Sequence, residues 1–189
     1  MNKKIVLALV ILAVLAASFG AFLVLRPTFE EVELKYDDGR PDGSQGLGGE
    51  GQGYLVEFWS PAASLTVTKV RMFGKLSGSG YENRTFDVLI WDKDQKELYS
   101  GSFAQTKFSL SSGWVDITIP QKVVVGDNFN VVVITNTPRE GGVYLHFDSS
   151  VKNEHSGLVR SWEKKDWYLE GIPEAKTNWM IRVVGTIKK

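Results

Sequence analysis

The sequence predicts an all-β protein, a two-sheet antiparallel β-sandwich, preceded by one N-terminal transmembrane helix. Three observations predict it. After Arg26 no stretch keeps a helical period, while runs of alternating apolar and polar residues recur about every ten residues with turn signals between them. Aromatic residues make up 12% of the chain and Gly numbers 19, a mixture that suits strands and turns better than helices. Residues 5–25, IVLALVILAVLAASFGAFLVL, carry no charge. As a helix rising about 1.5 Å per residue they match the roughly 30 Å hydrocarbon core of a bilayer.

Asn2, Lys3 and Lys4 precede that run, and Arg26, Pro27, Glu30, Glu31 and Glu33 follow it. The positive-inside bias directs residues 1–4 to the cytoplasm and the bulk of the chain to the other side. A cleavable signal peptide is the competing reading, with Ala16, Ala17 and Ser18 as its cleavage region. The apolar part of such a peptide is shorter, about 7–15 residues, and cutting there leaves FGAFLVL as an exposed apolar end. The expectation is therefore a single-pass signal anchor over 5–25 with an extracytoplasmic domain behind it. Either reading exports the domain.

Residues 26–53 read as a juxtamembrane stretch followed by a Gly- and Asp-rich loop, YDDGRPDGSQGLGGEGQG, too polar to pack. The sandwich itself is expected over 54–189. Leu55 to Trp59 ends at Ser60-Pro61, and Leu65 to Phe73 follows. Thr85 to Trp91 places Phe86, Val88 and Ile90 on one face, and Asp92 to Gln95 turns it into Glu97 to Phe103. Trp114 to Ile119 alternates strictly, with Val115, Ile117 and Ile119 inward, until Pro120 closes it. Val123 to Val125 bends at Gly126-Asp127-Asn128 into Phe129 to Thr135. Val143 to Phe147 and Trp179 to Ile187 complete the set. Among sandwiches a jelly roll is the first choice and an immunoglobulin-like arrangement the second.

Composition removes several function classes. Of 22 Lys and Arg, three (Lys3, Lys4, Arg26) flank the apolar run, which leaves 19 against 22 Asp and Glu beyond it, a net charge of −3. No basic tract is present to neutralise a run of phosphates, so nucleic acid is not an expected partner. With no Cys in the chain, a disulfide scaffold, thiolate metal sites, a cysteine nucleophile and lipoprotein attachment are all excluded.

Several fragments together resemble a known kind of module. Tyr36-Asp37-Asp38-Gly39 opens the pattern and Asn178-Trp179-Met180-Ile181-Arg182 closes it. Thr68-Lys69-Val70-Arg71, Phe86 to Asp92, Gly113 to Asp116 and Val125 to Phe129 lie between. In order and spacing they resemble the jelly-roll accessory modules of archaeal and bacterial exported proteins, some attached to secreted peptidases. The resemblance spans nearly all of 36–186. It implies a non-catalytic binding or spacer unit without naming a ligand. No catalytic domain accompanies the module in this chain.

Candidate sites fall into four groups. Asp37, Asp38 and Asp42 are candidate ligands for a structural Ca²⁺, the one cofactor the sequence suggests. The competing reading is a solvated turn, or Asp38 pairing with Arg182 if the first and last strands are neighbours. Trp162, Trp167 and Tyr168 in RSWEKKDWYLEG, with Trp114 and Trp91 on strand faces, are candidate ligand-binding aromatics, since indole and phenol rings stack on sugar faces. Trp91, Trp114 and Trp179 also read as covers for core edges. Asn83-Arg84-Thr85 is an N-glycosylation sequon in a Gly/Ser-rich loop. His146 and His155 are the two His available as bases, yet no G-x-S-x-G elbow, H-E-x-x-H helix or P-loop is present. The sequence therefore points to a membrane-anchored, non-catalytic surface domain for a carbohydrate or a protein partner. The alternative is an assembly component of the cell envelope or an accessory subunit of a separately encoded exported hydrolase.

Overall fold

Successive side chains of a strand point to opposite faces, and two sheets close over the inner ones, while part of the outer face of the second sheet is buried as well. The computed structural model describes residues 28–49, 51–136, 141–150, 155–162, 166–170 and 177–189, with the backbone alone at 160–162 and 166–170. Among these residues no helix is long and apolar enough to cross a membrane. The run 5–25, on which the expected anchor falls, lies outside them.

The strands are β1 (Phe29–Leu34), β2 (Gly43–Gly46), β3 (Gln52–Trp59), β4 (Leu65–Gly78), β5 (Thr85–Asp92), β6 (Glu97–Ala104), β7 (Gly113–Val125), β8 (Asn128–Ile134), β9 (Gly141–Asp148), β10 (Ser156–Trp162), β11 (Asp166–Glu170), β12 (Asn178–Trp179) and β13 (Ile181–Lys188). One antiparallel sheet has the order β1-β13-β4-β9-β12, with β7 also on β4 and β2 also on β9. The other runs β11-β10-β3-β8-β5-β6. Within this pair, eight consecutive strands give two four-strand rows, β2-β9-β4-β7 and β3-β8-β5-β6. One core joins the sheets: Val70, Met72, Ile117, Leu145 and Ile181 from the first meet Tyr54, Phe58, Phe86, Ile90 and Phe129 from the second.

Contacts divide the chain into a large unit, Glu31–Ile187, and a small one, Met1–Glu30 with Lys188–Lys189. In the small unit the Lys189 N–H donates to the Thr28 carbonyl at 2.9 Å.

Several local expectations are met. Phe86, Val88, Ile90, Phe129, Val131 and Val133 are buried in the core, and Asp92 Oδ1 accepts the N–H groups of Asp94 and Lys96 in the expected turn. Three segments differ. Pro120 does not end its strand: β7 continues to Val125, and its register against β4 jumps from Thr118 opposite Lys69 to Val123 opposite Val67. Pro120 lies in the irregular stretch between those pairs, so the ladder asks no N–H of it.

The segment 36–53 is more than a loop. It holds β2, which pairs with β9, and it buries Asp37 and Leu47. A Cβ on Gly43 would lie 2.4 Å from the Phe147 ring, and one on Gly46 would lie 2.6 Å from Tyr144. These glycines let β2 pass under two aromatic side chains. Finally, β10 and β11 pair antiparallel and extend the second sheet beside β3.

Candidate functional site

Along β3 the period of two sends Tyr54, Val56 and Phe58 into the core and Leu55, Glu57 and Trp59 to the outer face of the sheet. Pairing carries that outer face across β8, where Asn128 stands opposite Trp59, Asn130 opposite Glu57 and Val132 opposite Leu55. On β5, Trp91 is opposite Asn130 and Leu89 opposite Val132. The face changes character along the strands. At one end Leu55, Leu89, Trp91, Val132, Ile134 and Val159 form a buried apolar cluster. Towards the other end come the amides and the carboxylate, and last Trp59, which is 54% exposed.

This end is ordered by a chain of contacts. Glu57 Oε1 accepts a hydrogen bond from Asn128 Nδ2, and Glu57 Oε2 lies 3.6 Å from His155 Nδ1. The Glu57 N–H donates to the His155 carbonyl at 2.8 Å. The His155 ring stacks on Tyr36 with centroids 4.9 Å apart, and Tyr36 stacks on Phe58 at 5.4 Å. The Tyr36 hydroxyl accepts the Trp59 N–H at 3.3 Å, and burial raises its pKa, which keeps it protonated. A carboxylate only accepts, so the Asn128 amide must turn its nitrogen to Glu57; its Oδ1 is left buried without a hydrogen-bond partner. An indole surface thus sits beside a carboxylate and an unmet acceptor.

Sequence reasoning passed over Trp59. The signal was available in parity: with Val56 and Phe58 inward, Glu57 and Trp59 must face out. It was masked because the strand ends there.

The residues singled out from the sequence are dispersed. Trp91 is 2% exposed, within the apolar cluster of the same outer face. Trp114 is half-buried on the outer face of the other sheet, edge-on to Phe73 at 5.3 Å, with the Arg182 guanidinium 4.3 Å and that of Arg71 5.3 Å from its ring centroid. Trp162, Trp167 and Tyr168 belong to the β10–β11 pair, where Trp167 pairs with Ser161, Tyr168 with Arg160 and Trp162 with Asp166; their side chains lie outside the description. Since Arg160 pairs with Gln52 at the start of β3, the Arg160–Tyr168, Ser161–Trp167 and Trp162–Asp166 pairs lie at or beyond the end of β3 opposite Trp59, roughly 23 Å away along the strand.

The acidic trio does not converge on one point. Both Asp37 oxygens accept from Arg182, from Nη2 and, at 3.1 Å, from Nε. Asp38 Oδ1 takes the Arg40 N–H at 2.7 Å, and Asp42 Oδ2 takes the N–H and hydroxyl of Ser149 at 2.8 Å each. Among the described residues no three His, Asp or Glu side chains are grouped so as to hold a metal. The expected Asp38–Arg182 pair is replaced by Asp37–Arg182, because Asp37 is the residue whose side chain turns inward. Asn83 is exposed in the turn closed by the Arg84 N–H on the Tyr81 carbonyl. His146 is 8% exposed, with Nε2 2.9 Å from Ser112 Oγ.

No family model matches the chain, and no curated protein matches it in sequence. Solved structures do match it. The clostridial cysteine protease Cwp84 after propeptide cleavage gives a TM-score of 0.56 at 13% identity, over 84% of this chain and 40% of that one. A structure of the cysteine protease and lectin-like domains of Cwp84, a surface-layer-associated protein of Clostridium difficile, gives 0.46 at 15% identity, over 71% and 32%. This chain therefore spans less than half of that protein's length. At such identity the first likeness shows the fold alone. It does not carry a cysteine nucleophile with it, since this chain contains no Cys.

Proposed function

We propose that this chain is a membrane-anchored, extracytoplasmic, non-catalytic domain that binds carbohydrate through the Trp59 end of its second sheet. The observation that carries the reading is an indole more than half exposed, seated beside Glu57, Asn128 and the stacked Tyr36–His155 pair. An exposed indole offers a flat apolar surface for the CH face of a sugar, and neighbouring acceptors orient its hydroxyl groups. The frame is a jelly roll: the rows β2-β9-β4-β7 and β3-β8-β5-β6, made from eight consecutive strands, support it. The uncharged run 5–25 supports the anchor.

The test is a glycan array probed with the full chain in detergent, beside its Trp59→Ala variant. Binding by the native chain and loss in a variant of unchanged melting temperature is the expected result. Equal binding by both overturns the site. Silence of the native chain, with envelope proteins co-purifying, replaces the reading with an assembly role. Carbonate extraction of membranes checks the anchor, which is overturned if the chain is released.

A further inference from the structure

We infer that the Trp59 site takes an amino sugar, with its ammonium group against Glu57 and the apolar face of the ring on the indole. This rests on the carbohydrate reading above and adds the chemical class of the ligand.

The argument starts from a contrast between the two outer faces. On the first sheet the carboxylates of Glu33, Asp37 and Asp116 all meet cations: Arg71 Nη1 and Arg182 Nη1 lie 2.9 and 3.4 Å from Glu33, Arg182 grips Asp37, and Arg71 Nε and Lys69 Nζ lie 2.8 and 3.1 Å from Asp116. On the second sheet Glu57, about as sheltered as Glu33, is met by a neutral amide and an imidazole. Among the described residues no Lys or Arg pairs with it. A partly desolvated carboxylate that no Lys or Arg neutralises attracts a cation.

Its surroundings point the same way. The β5–β6 turn beside Asn130 brings Lys93 and Lys96, but Lys93 is held by Asp94 at 3.0 Å. The same turn and the β7–β8 bend add Asp92 and Asp127. The Trp59 ring face attracts ammonium through its quadrupole as well as stacking on C–H groups. A ring bearing both an apolar face and an ammonium group satisfies all of these at once. A uronic or other anionic sugar would meet like charge, and N-acetylation would remove the cation.

Calorimetric titration of the full chain in detergent tests this, at a pH where sugar amines are protonated. The probes are a glucosamine oligomer, its N-acetylated counterpart, a neutral glucose oligomer and a uronic-acid oligomer. The glucosamine oligomer is expected to bind about tenfold or more tightly than the N-acetylated one, and the uronic oligomer not at all. Glu57→Gln should abolish that preference while leaving weaker, Trp59-dependent binding; the comparison among ligands stands even if that variant folds poorly. Equal or better binding of the neutral or N-acetylated oligomer, still dependent on Trp59, overturns the amino-sugar inference and leaves the carbohydrate reading intact. Absence of binding to every oligomer overturns both.

Discussion

Asp37 and Arg182, 145 positions apart in sequence, meet as a bidentate pair inside the protein, with Arg182 Nε 3.1 Å from one carboxylate oxygen and Nη2 on the other. The same guanidinium lies 4.3 Å from the Trp114 ring centroid and 3.4 Å from Glu33. The hydrogen bonds that Arg182 donates to Asp37 raise the Arg182 pKa against the opposing effect of burial. One residue thereby ties the segment after β1 to β13 and, through Trp114, to β7.

Removing either partner leaves a buried charge without its counter-ion. Arg182→Met or Asp37→Asn should cost about 3–5 kcal/mol in urea denaturation. Arg182→Lys should recover only part of that, because an ammonium group cannot form the two parallel hydrogen bonds. Native-like stability in Arg182→Met would show that the pair is ornamental.

Two tryptophans should respond in opposite ways. Trp179 is buried, donates Nε1–H to the Gly157 carbonyl at 3.0 Å and packs edge-on against Tyr54 and Phe147. Trp179→Ala should destabilise by about 3–5 kcal/mol. Trp59→Ala, at the exposed end of β3, should change stability by no more than about 0.5 kcal/mol while removing ligand binding. Thermal melts of the two variants, run side by side, check the contrast.

The glycines of β2 carry a third expectation. Gly43→Ala and Gly46→Ala each drive a Cβ into an aromatic ring of β9, and should cost about 1–3 kcal/mol each. Gly113, with open space where a Cβ would go, is the control whose change to Ala should be close to neutral. Equal melting temperatures for all three would count against the packing of β2 on β9.

His146 makes stability depend on pH. Burial lowers its pKa, and the charge of Lys75 lowers it further. The folded state therefore holds His146 neutral. Above the unfolded value of about 6.5 neither state is protonated and nothing is lost. As pH falls through that value the unfolded chain takes up the proton first, so stability declines on acidification. His146→Gln should flatten the decline in chemical denaturation as pH falls below about 6.5. An unchanged slope would assign the effect to other groups.

The sequence by itself determined the all-β class, most strands from β3 to β9, the last strand β13, and which residues of β5, β7 and β8 face the core. Phe86, Val88 and Ile90 show why: in a strand, the face a side chain takes follows from position parity, which is local information. Tertiary structure decided the rest. In β2 the residues Gly43 to Gly46 hold no apolar side chain, so only pairing with β9 makes them a strand. Asp37 and Asp38 are adjacent carboxylates, and only the turn before β2 decides that the first meets Arg182. Trp91 and Trp59 both face outward on one sheet, yet one is enclosed and the other open. Period and parity specify direction from the backbone, whereas enclosure depends on what the rest of the chain brings near, and that is written only in the assembled fold.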